Sequence, residues 1–330
     1  MTSKEGFTLK RSAYFDNAKA ILIFFVVLGH LLSGFLRENE MIDTVYFVIY
    51  LFHMPAFILI SGHFSRKIKT WTDVKKMIQT LIIPYIVFQL FYTYYYQTVF
   101  EDPIEFGLLE PRYALWFLLS MVLWKVLLTI FGTNPWMIVA SFAVALGAGY
   151  YSEVNEWLSL SRTFFFFPFF LIGYYMNREL FTKIKNKWNV SLAFILAPIC
   201  VAFIHTFGDV RWREWFYGRI PYDEIHHTIF ESAVYSRLVI YAFMLCCTFI
   251  FLALVPTAKR AYTSIGEKTL GVYLLHLIFI RAFRETEAYV WIQETENYFI
   301  LILIALSIVY VLSHKWVWKI TKPVLTAKLK

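Results

Sequence analysis

Charge is scarce in this chain. Asp, Glu, Lys and Arg make up 16% of its 330 residues, against about a quarter in soluble domains. A large soluble core is excluded on that ground. Cysteine is nearly absent: Cys200, Cys246 and Cys247 all fall inside apolar runs. No disulfide framework and no cysteine metal spacing follow from them. Glycine and proline, at 13 and 10 residues, gather into no linker or low-complexity tract. No internal or inverted repeat is visible, which weighs against many transporter folds. With no soluble segment to cut away, residues 1–330 read as a single domain.

What fills the chain is apolar. Hydrophobic residues reach 59%, aromatics 20%, and mean hydropathy is +0.57. The expectation is an all-α membrane protein with about ten transmembrane helices, at roughly 17–36, 45–63, 77–98, 113–131, 136–151, 163–177, 190–207, 235–255, 269–283 and 298–318. Spans five, six and nine are short against the ~20 residues a bilayer needs. They must tilt little, extend past these limits, or break partway. The first run exceeds a signal-peptide core and no A-x-A-like site follows it, so it reads as a retained span.

With the N-terminus placed inside, 22 of the 31 Lys and Arg fall on the cytoplasmic side. The other nine are Arg37, Arg112, Arg162, Arg211, Arg213, Arg219, Arg237, Arg281 and Arg284, with no lysine among them. Of the 23 acidic residues, 5 lie inside and 18 outside. The asymmetry of basic loops places both termini in the cytoplasm of a multi-pass cell-membrane protein. The net charge of +8 is then a mark of topology and not a nucleic-acid footprint.

A histidine interrupts the first run, "KAILIFFVVLGHLLSG" (19–34). An ionisable group inside lipid is costly and marks a functional site by default. Lys19 and His30 are eleven residues apart, so at 100° per residue they share one helical face, about 16 Å apart along the axis. Asp16 lies one turn before Lys19. A carboxylate, a cation and an imidazole therefore climb one stripe toward mid-membrane. The plainer alternative leaves Asp16 and Lys19 at the interface and lets His30 bond a neighbouring helix.

The second span, "YLFHMPAFILISGHFSRKIK", places Pro55 beside His53. A proline frees a carbonyl and bends a helix, which suits either a cavity at His53 or a packing kink. Arg66, Lys67, Lys69, Lys75 and Lys76 follow. They suit an anionic lipid surface or the phosphates of a nucleotide cofactor.

Together "YFDNAKAILIFFVVLGH" and "FHMPAFILISGHFSRK" resemble the first two blocks of the acyltransferase-3 family of integral-membrane acyltransferases. Lys19, ten residues, then His30, with Asp16 upstream, is similar to the family's basic-X10-His signature. Arg66 to Lys69 resembles its R-x-x-R motif, with Lys in place of the second Arg; that keeps the charge and loses the bidentate fork. "ALWFLLSMVLW" around Trp116, "SRTFFFFPFFLIGYYM" from Ser161 and "SIGEKTLGVYLLH" ending at His276 are similar to later blocks, most of all in the fucose-4-O-acetylase-like subgroup. The resemblance covers nearly the whole chain. It implies an enzyme that moves an acyl group, usually acetyl, from cytoplasmic acyl-CoA to a hydroxyl of an envelope carbohydrate or lipid-linked acceptor. It implies catalytic roles for His30, Asp16 and Lys19. A cofactor site for acetyl-CoA would then fall to Lys19, Arg66, Lys69, Lys75 and Lys76. His30 serves either as general base on the acceptor or as covalent acyl carrier.

Arg162 suits an acceptor or oxyanion anchor, or an interfacial arginine that snorkels. Trp116 suits a sugar platform or an aromatic belt. These two and His53 are the expected substrate-binding residues. His276, in "YLLHLIF", reads as a satisfied core histidine. His63, His205 and His314 lie near span ends and read as solvated. The His226-His227 pair lacks a third ligand at metal spacing, so no metal is expected. A second class stands beside the enzyme: an exporter of envelope polysaccharide or lipid-linked glycan, whose path His30, His53 and Arg162 would line. The basic cluster aimed at the His30 stripe separates the two, because a carrier of neutral glycans has no use for it.

Overall fold

In lipid each backbone N–H and C=O must find its partner within its own segment, so apolar runs without alternation become helices. The computed structural model describes residues 12–101, 107–132 and 134–325, and among these there are helices, turns and no strand. Helix α1 spans Ala13–Leu32 and α2 spans Glu40–His63. A short α3 (Trp71–Met77) runs through a π-helical turn (Ile78–Ile82) into α4 (Ile83–Phe100). Next come α5 (Trp116–Phe131), α6 (Met137–Ala148) and α7 (Leu160–Tyr175). They are followed by α8 (Arg178–Ile184), α9 (Lys187–Phe207), a five-residue α10 (Arg213–Tyr217) and α11 (Ala233–Leu254). The chain closes with α12 (Thr269–Arg284), α13 (Glu287–Thr295), α14 (Phe299–Leu312) and α15 (Lys315–Leu325).

Among the described residues, seven helical stretches are long and apolar enough to cross a membrane. An eighth forms if α14 and α15, bent by 64° at Ser313–His314, count as one. The protein is thus an all-α, multi-pass membrane protein. The expected spans at 136–151 and 269–283 are helices of 12 and 16 residues, shorter than the ~20 of a full crossing. The expected span at 163–177 extends toward its N-terminus, through a 3-10 turn at Trp157–Ser159. The outer faces are greasy: Phe194 on α9 is 66% exposed and Leu303 on α14 is 63% exposed. Such a continuous apolar exterior is what lipid contact requires.

The core is the packing of α1, α2 and α7, with α11, α12 and α14 around it. Two glycines decide how close α2 and α7 come. A Cβ on Gly62 would lie 2.0 Å from the Phe170 carbonyl oxygen, and one on Gly173 would lie 1.8 Å from that of Leu59. The two helices touch backbone to backbone because neither position carries a side chain, the small-residue device of membrane helix packing.

The start of α1 is tied to the end of α11. Tyr14 donates to the Leu252 carbonyl at 2.9 Å, and Asn17 Nδ2 donates to those of Pro256 and Ala258 at 2.9 and 2.8 Å. Thr263 donates in turn to Asn17 Oδ1 at 2.6 Å. Lys185 Nζ donates to the Ala253 and Val255 carbonyls, and burial pushes this ammonium below its usual range. These side chains satisfy the carbonyls that a helix terminus leaves open. His63, expected in solvent, is packed instead. Its ring stacks on Phe15 at 5.0 Å and its Nδ1 lies 3.0 Å from the Met176 carbonyl.

Candidate active site

At the end of the bundle opposite Lys19, several helix termini surround a cavity of about 570 Å³. Helical periodicity selects the lining. On α1 it is Val26 and His30, with Ser33 just beyond; on α12 it is Tyr273, Leu277, Ile280, Arg281 and Arg284. These spacings of three and four put each set on one face. The α2 helix adds Tyr50, His53 and Met54, and the starts of α5 and α7 add Trp116, Arg162 and Phe166. The segment around α10 closes one wall with Phe216, Tyr217 and Arg219. Tyr113, 47% exposed, sits at the rim. Among the described residues, four arginines, two histidines and no carboxylate line the space.

His30 is half-buried and opens onto this cavity. Its backbone carbonyl is held by Arg284 Nη2 at 3.0 Å and by Ser33 Oγ at 2.8 Å, and Arg284 also donates to Ser33 Oγ at 2.9 Å. His53, buried, places Nδ1 2.8 Å from the Ile49 carbonyl. A carbonyl can only accept, so Nδ1 carries the proton and Nε2 is left with its lone pair. The Tyr50 ring meets His53 edge-on at 4.6 Å, and Tyr46 and Tyr217 join through their hydroxyls. His276 stands behind His30, fully buried, with ring centres 5.2 Å apart.

The aromatic wall is cross-tied. Trp116 stacks on Phe166 at 5.4 Å, and the Arg162 guanidinium lies 5.3 Å from the Trp116 ring centre. Arg162 also meets Glu156 at 3.3 Å, outside the lining. Arg219 forms two bonds to Glu214, at 2.8 and 3.1 Å. The hydroxyl of Tyr273 donates to the Ala114 carbonyl and ties α12 to the turn before α5. Ser161 donates to the Gly218 carbonyl at 2.8 Å and fixes the 208–232 segment over α7. Near the start of that segment, hydrogen bonds from Arg211 hold the Asp209 carboxyl below its ordinary range.

Four of the expected site residues converge here: His30, His53, Trp116 and Arg162. Six do not line the cavity: Asp16, Lys19, Arg66, Lys69, Lys75 and Lys76. Lys19 Nζ pairs with Asp16 Oδ1 at 2.9 Å, about 16 Å of helix rise from His30. Arg66 and Lys69 lie in the connector after α2. Lys75 and Lys76 ride on α3, whose start is fixed by a capping box between Thr70 and Asp73. The sequence does not single out Arg219, Arg281, Arg284 or the tyrosines; His276, expected as a satisfied core histidine, is fully buried but its Nε2 has no hydrogen-bond partner. The available signal is the all-arginine end, four of whose nine members line the cavity. Among the described residues no cluster of His, Cys, Asp and Glu could hold a metal ion.

The fold and the site define an integral-membrane bundle that encloses a chamber lined by histidines and arginines. The acyltransferase domain model matches residues 12–314, so this chain belongs to the acyltransferase-3 family. It is similar to the nodulation protein NolL of Mesorhizobium japonicum, 24% identical over 294 residues that cover 81% of this chain and 76% of that protein. NolL of Sinorhizobium fredii is 28% identical over 215 residues, covering 59% and 57% respectively. No solved structure matches.

Proposed function

We propose that this protein is an O-acyltransferase that moves an acyl group, acetyl in the first instance, from acyl-CoA to a hydroxyl of an envelope carbohydrate or lipid-linked glycan. The observation that carries the reading is the cavity itself: two histidines facing polar space inside an apolar bundle, beside an aromatic and arginine wall. The acceptor ring packs against Trp116 and the tyrosines. Its hydroxyl meets His30, whose imidazole takes the proton while the hydroxyl oxygen attacks the thioester carbon. The C–S bond then breaks and the imidazolium returns the proton to the leaving thiolate. Transfer through an acyl-imidazole on His30 uses the same nitrogen as nucleophile. Arg162, on the cavity wall, is the proposed stabiliser of the oxyanion. His53, its Nδ1 pinned to Ile49, presents Nε2 as an acceptor for a second hydroxyl. Lys19, Arg66, Lys69, Lys75 and Lys76, at the lysine-bearing end, are the proposed hold on the phosphates of CoA, with Asp16 orienting Lys19. The pantetheine arm spans the distance from there to His30.

The test uses purified protein in detergent, acetyl-CoA and an oligosaccharide acceptor. His30→Ala is expected to retain its size-exclusion profile and lose transfer by at least a hundredfold, the lower range of general acid–base catalysis, about 10²–10⁴. Transfer at near wild-type rate in a well-folded His30→Ala protein removes His30 from the chemistry. Absence of transfer by the wild type with any carbohydrate acceptor overturns the enzyme reading.

A further inference from the structure

His276 carries a lone pair that nothing meets. Its Nδ1 lies 2.7 Å from the Tyr273 carbonyl and 3.2 Å from that of Val272. Both are acceptors, so Nδ1 holds the proton and Nε2 is an acceptor. That Nε2 is buried and has no hydrogen-bond partner. A buried acceptor left unsatisfied is costly, and native structures keep few without a reason. The nearest imidazole is His30, with ring centres 5.2 Å apart and planes tilted by 45°. A ring nitrogen lies about 1.1 Å from its ring centre. Nitrogens turned to face each other at this separation would stand about 3 Å apart, the length of a hydrogen bond, although no bond joins the two rings as they stand. The His276 ring is held by its Nδ1 bonds, so it is rotation of the His30 ring about χ2 that brings a His30 nitrogen into line with Nε2.

We infer that His276 is the positioning partner of His30, its buried Nε2 accepting the N–H of one His30 ring nitrogen and leaving the other His30 nitrogen bare toward the cavity. The inference rests on the acyl-transfer reading for its purpose, though its geometry stands alone. A neutral imidazole has two tautomers, and only one presents a lone pair to the acceptor hydroxyl. An acceptor on the far side of the ring selects that tautomer, as hydrogen bonds at one nitrogen of a histidine set the chemistry of the other. The same bond strengthens when the cavity-facing nitrogen gains the acceptor's proton, because the N–H given to His276 then belongs to a cation. The proton goes back to the thiolate when the C–S bond breaks, and His276 never changes protonation. If His30 instead carries the acyl group, the bare nitrogen forms the N–acyl bond and the N–H toward His276 stays in place. The positioning role is common to both routes. Its rigidity comes from the two carbonyls of α12 that hold Nδ1 and from Arg284, which pins the His30 backbone to the same helix.

The experiment compares His276→Leu with His276→Gln, whose amide oxygen restores an acceptor near the Nε2 position. His276→Leu is expected to lower kcat by about 10- to 100-fold, the usual effect of removing an outer-shell partner, with both KM values within twofold of wild type. His276→Gln is expected to recover at least a tenth of the wild-type kcat. A purely structural role predicts otherwise: equal loss in both variants, or a change in KM with kcat intact. Either result overturns the inference, as does a His276→Leu protein with kcat within twofold of wild type. A second measurement needs no turnover. The ¹⁵N spectrum of histidine-labelled wild type is expected to show His30 as one neutral tautomer, and a mixture of both overturns the inference. If the wild type transfers no acyl group, the functional reading falls, while the tautomer spectrum still decides the pairing.

Discussion

Arg284 ties together the two helices that carry His30 and His276. Its guanidinium donates to the His30 carbonyl and to Ser33 Oγ at the end of α1. Both bonds are charge-assisted, and such bonds contribute roughly 1.5–3 kcal/mol each when well made. Arg284→Gln should therefore lower the melting temperature in detergent and lower kcat more than KM, as read by thermal scans and initial rates. An unchanged melting temperature would show that α1 ends correctly without it. At this scale the sequence is informative where a residue is out of place. His30 and His53 declare themselves because imidazoles are expensive in lipid, and Trp116 and Arg162 stand out at the starts of apolar runs. His276 is equally out of place, yet its neighbours in "YLLHLIF" give it no polar stripe. Its partner lies on another helix, 246 positions away in the chain, and only tertiary packing brings them together. The same applies to Arg284, which reads as one more arginine at a span end.

Among the helices, the closest contact is the crossing of α2 and α7. Gly173→Ala drives a methyl carbon into the Leu59 carbonyl, 1.8 Å away if nothing moves. Backbone cannot yield as a side-chain tip can, so the helices must separate. The expected cost is about 3 kcal/mol, the upper part of the range for overpacking, read as a fall in melting temperature and in monodisperse yield. Gly147→Ala is the control: nothing lies within 4 Å of its added carbon, and stability should hold or rise by a few tenths of a kcal/mol. Equal effects at the two positions would mean that the crossing is not limited by glycine. Helices themselves are legible, because long apolar runs admit little else in lipid. Their interruptions are less so. The π-helical turn at Ile78–Ile82 lies inside what reads as one continuous run, and the bend between α14 and α15 falls inside the expected span at 298–318, where the apolar run gives way to Ser313, His314 and Lys315.

At the level of the whole molecule, the two ends differ in their cations, and the positive-inside rule makes a testable proposal of this asymmetry: the lysine-bearing end faces the cytoplasm. On a cysteine-free background, Ser152→Cys, in the connector between α6 and α7, should react with an impermeant thiol reagent in intact cells. Thr182→Cys, on α8, should not; the opposite pattern would invert the topology and the proposed entry side of the donor. The donor end has its own test. Arg66→Gln combined with Lys69→Gln should raise KM for acyl-CoA by tens-fold with kcat nearly unchanged, because contacts to the phosphates persist through the reaction. That loss should shrink at high salt, since exposed charges are screened over about 8 Å at physiological ionic strength. A dissociation constant equal to wild type, by calorimetry with acetyl-CoA, would leave these residues to topology alone. The class of protein and the polarity of its ends are written in composition. The cavity is not, since its walls come from six helices and from the α10 segment, meeting only in three dimensions. The split of cations carries a chemical consequence. Among the described residues, every side chain of fixed positive charge on the cavity is an arginine. A guanidinium stays protonated and has no lone pair to attack with, whereas a lysine amine stripped of water becomes a nucleophile. In the proposed chemistry, an acyl group activated beside His30 meets positive charge without meeting a primary amine that would intercept it. The wall thereby escapes the formation of a stable amide, and in the proposed scheme the lysines of the far end meet the acyl group only as a thioester.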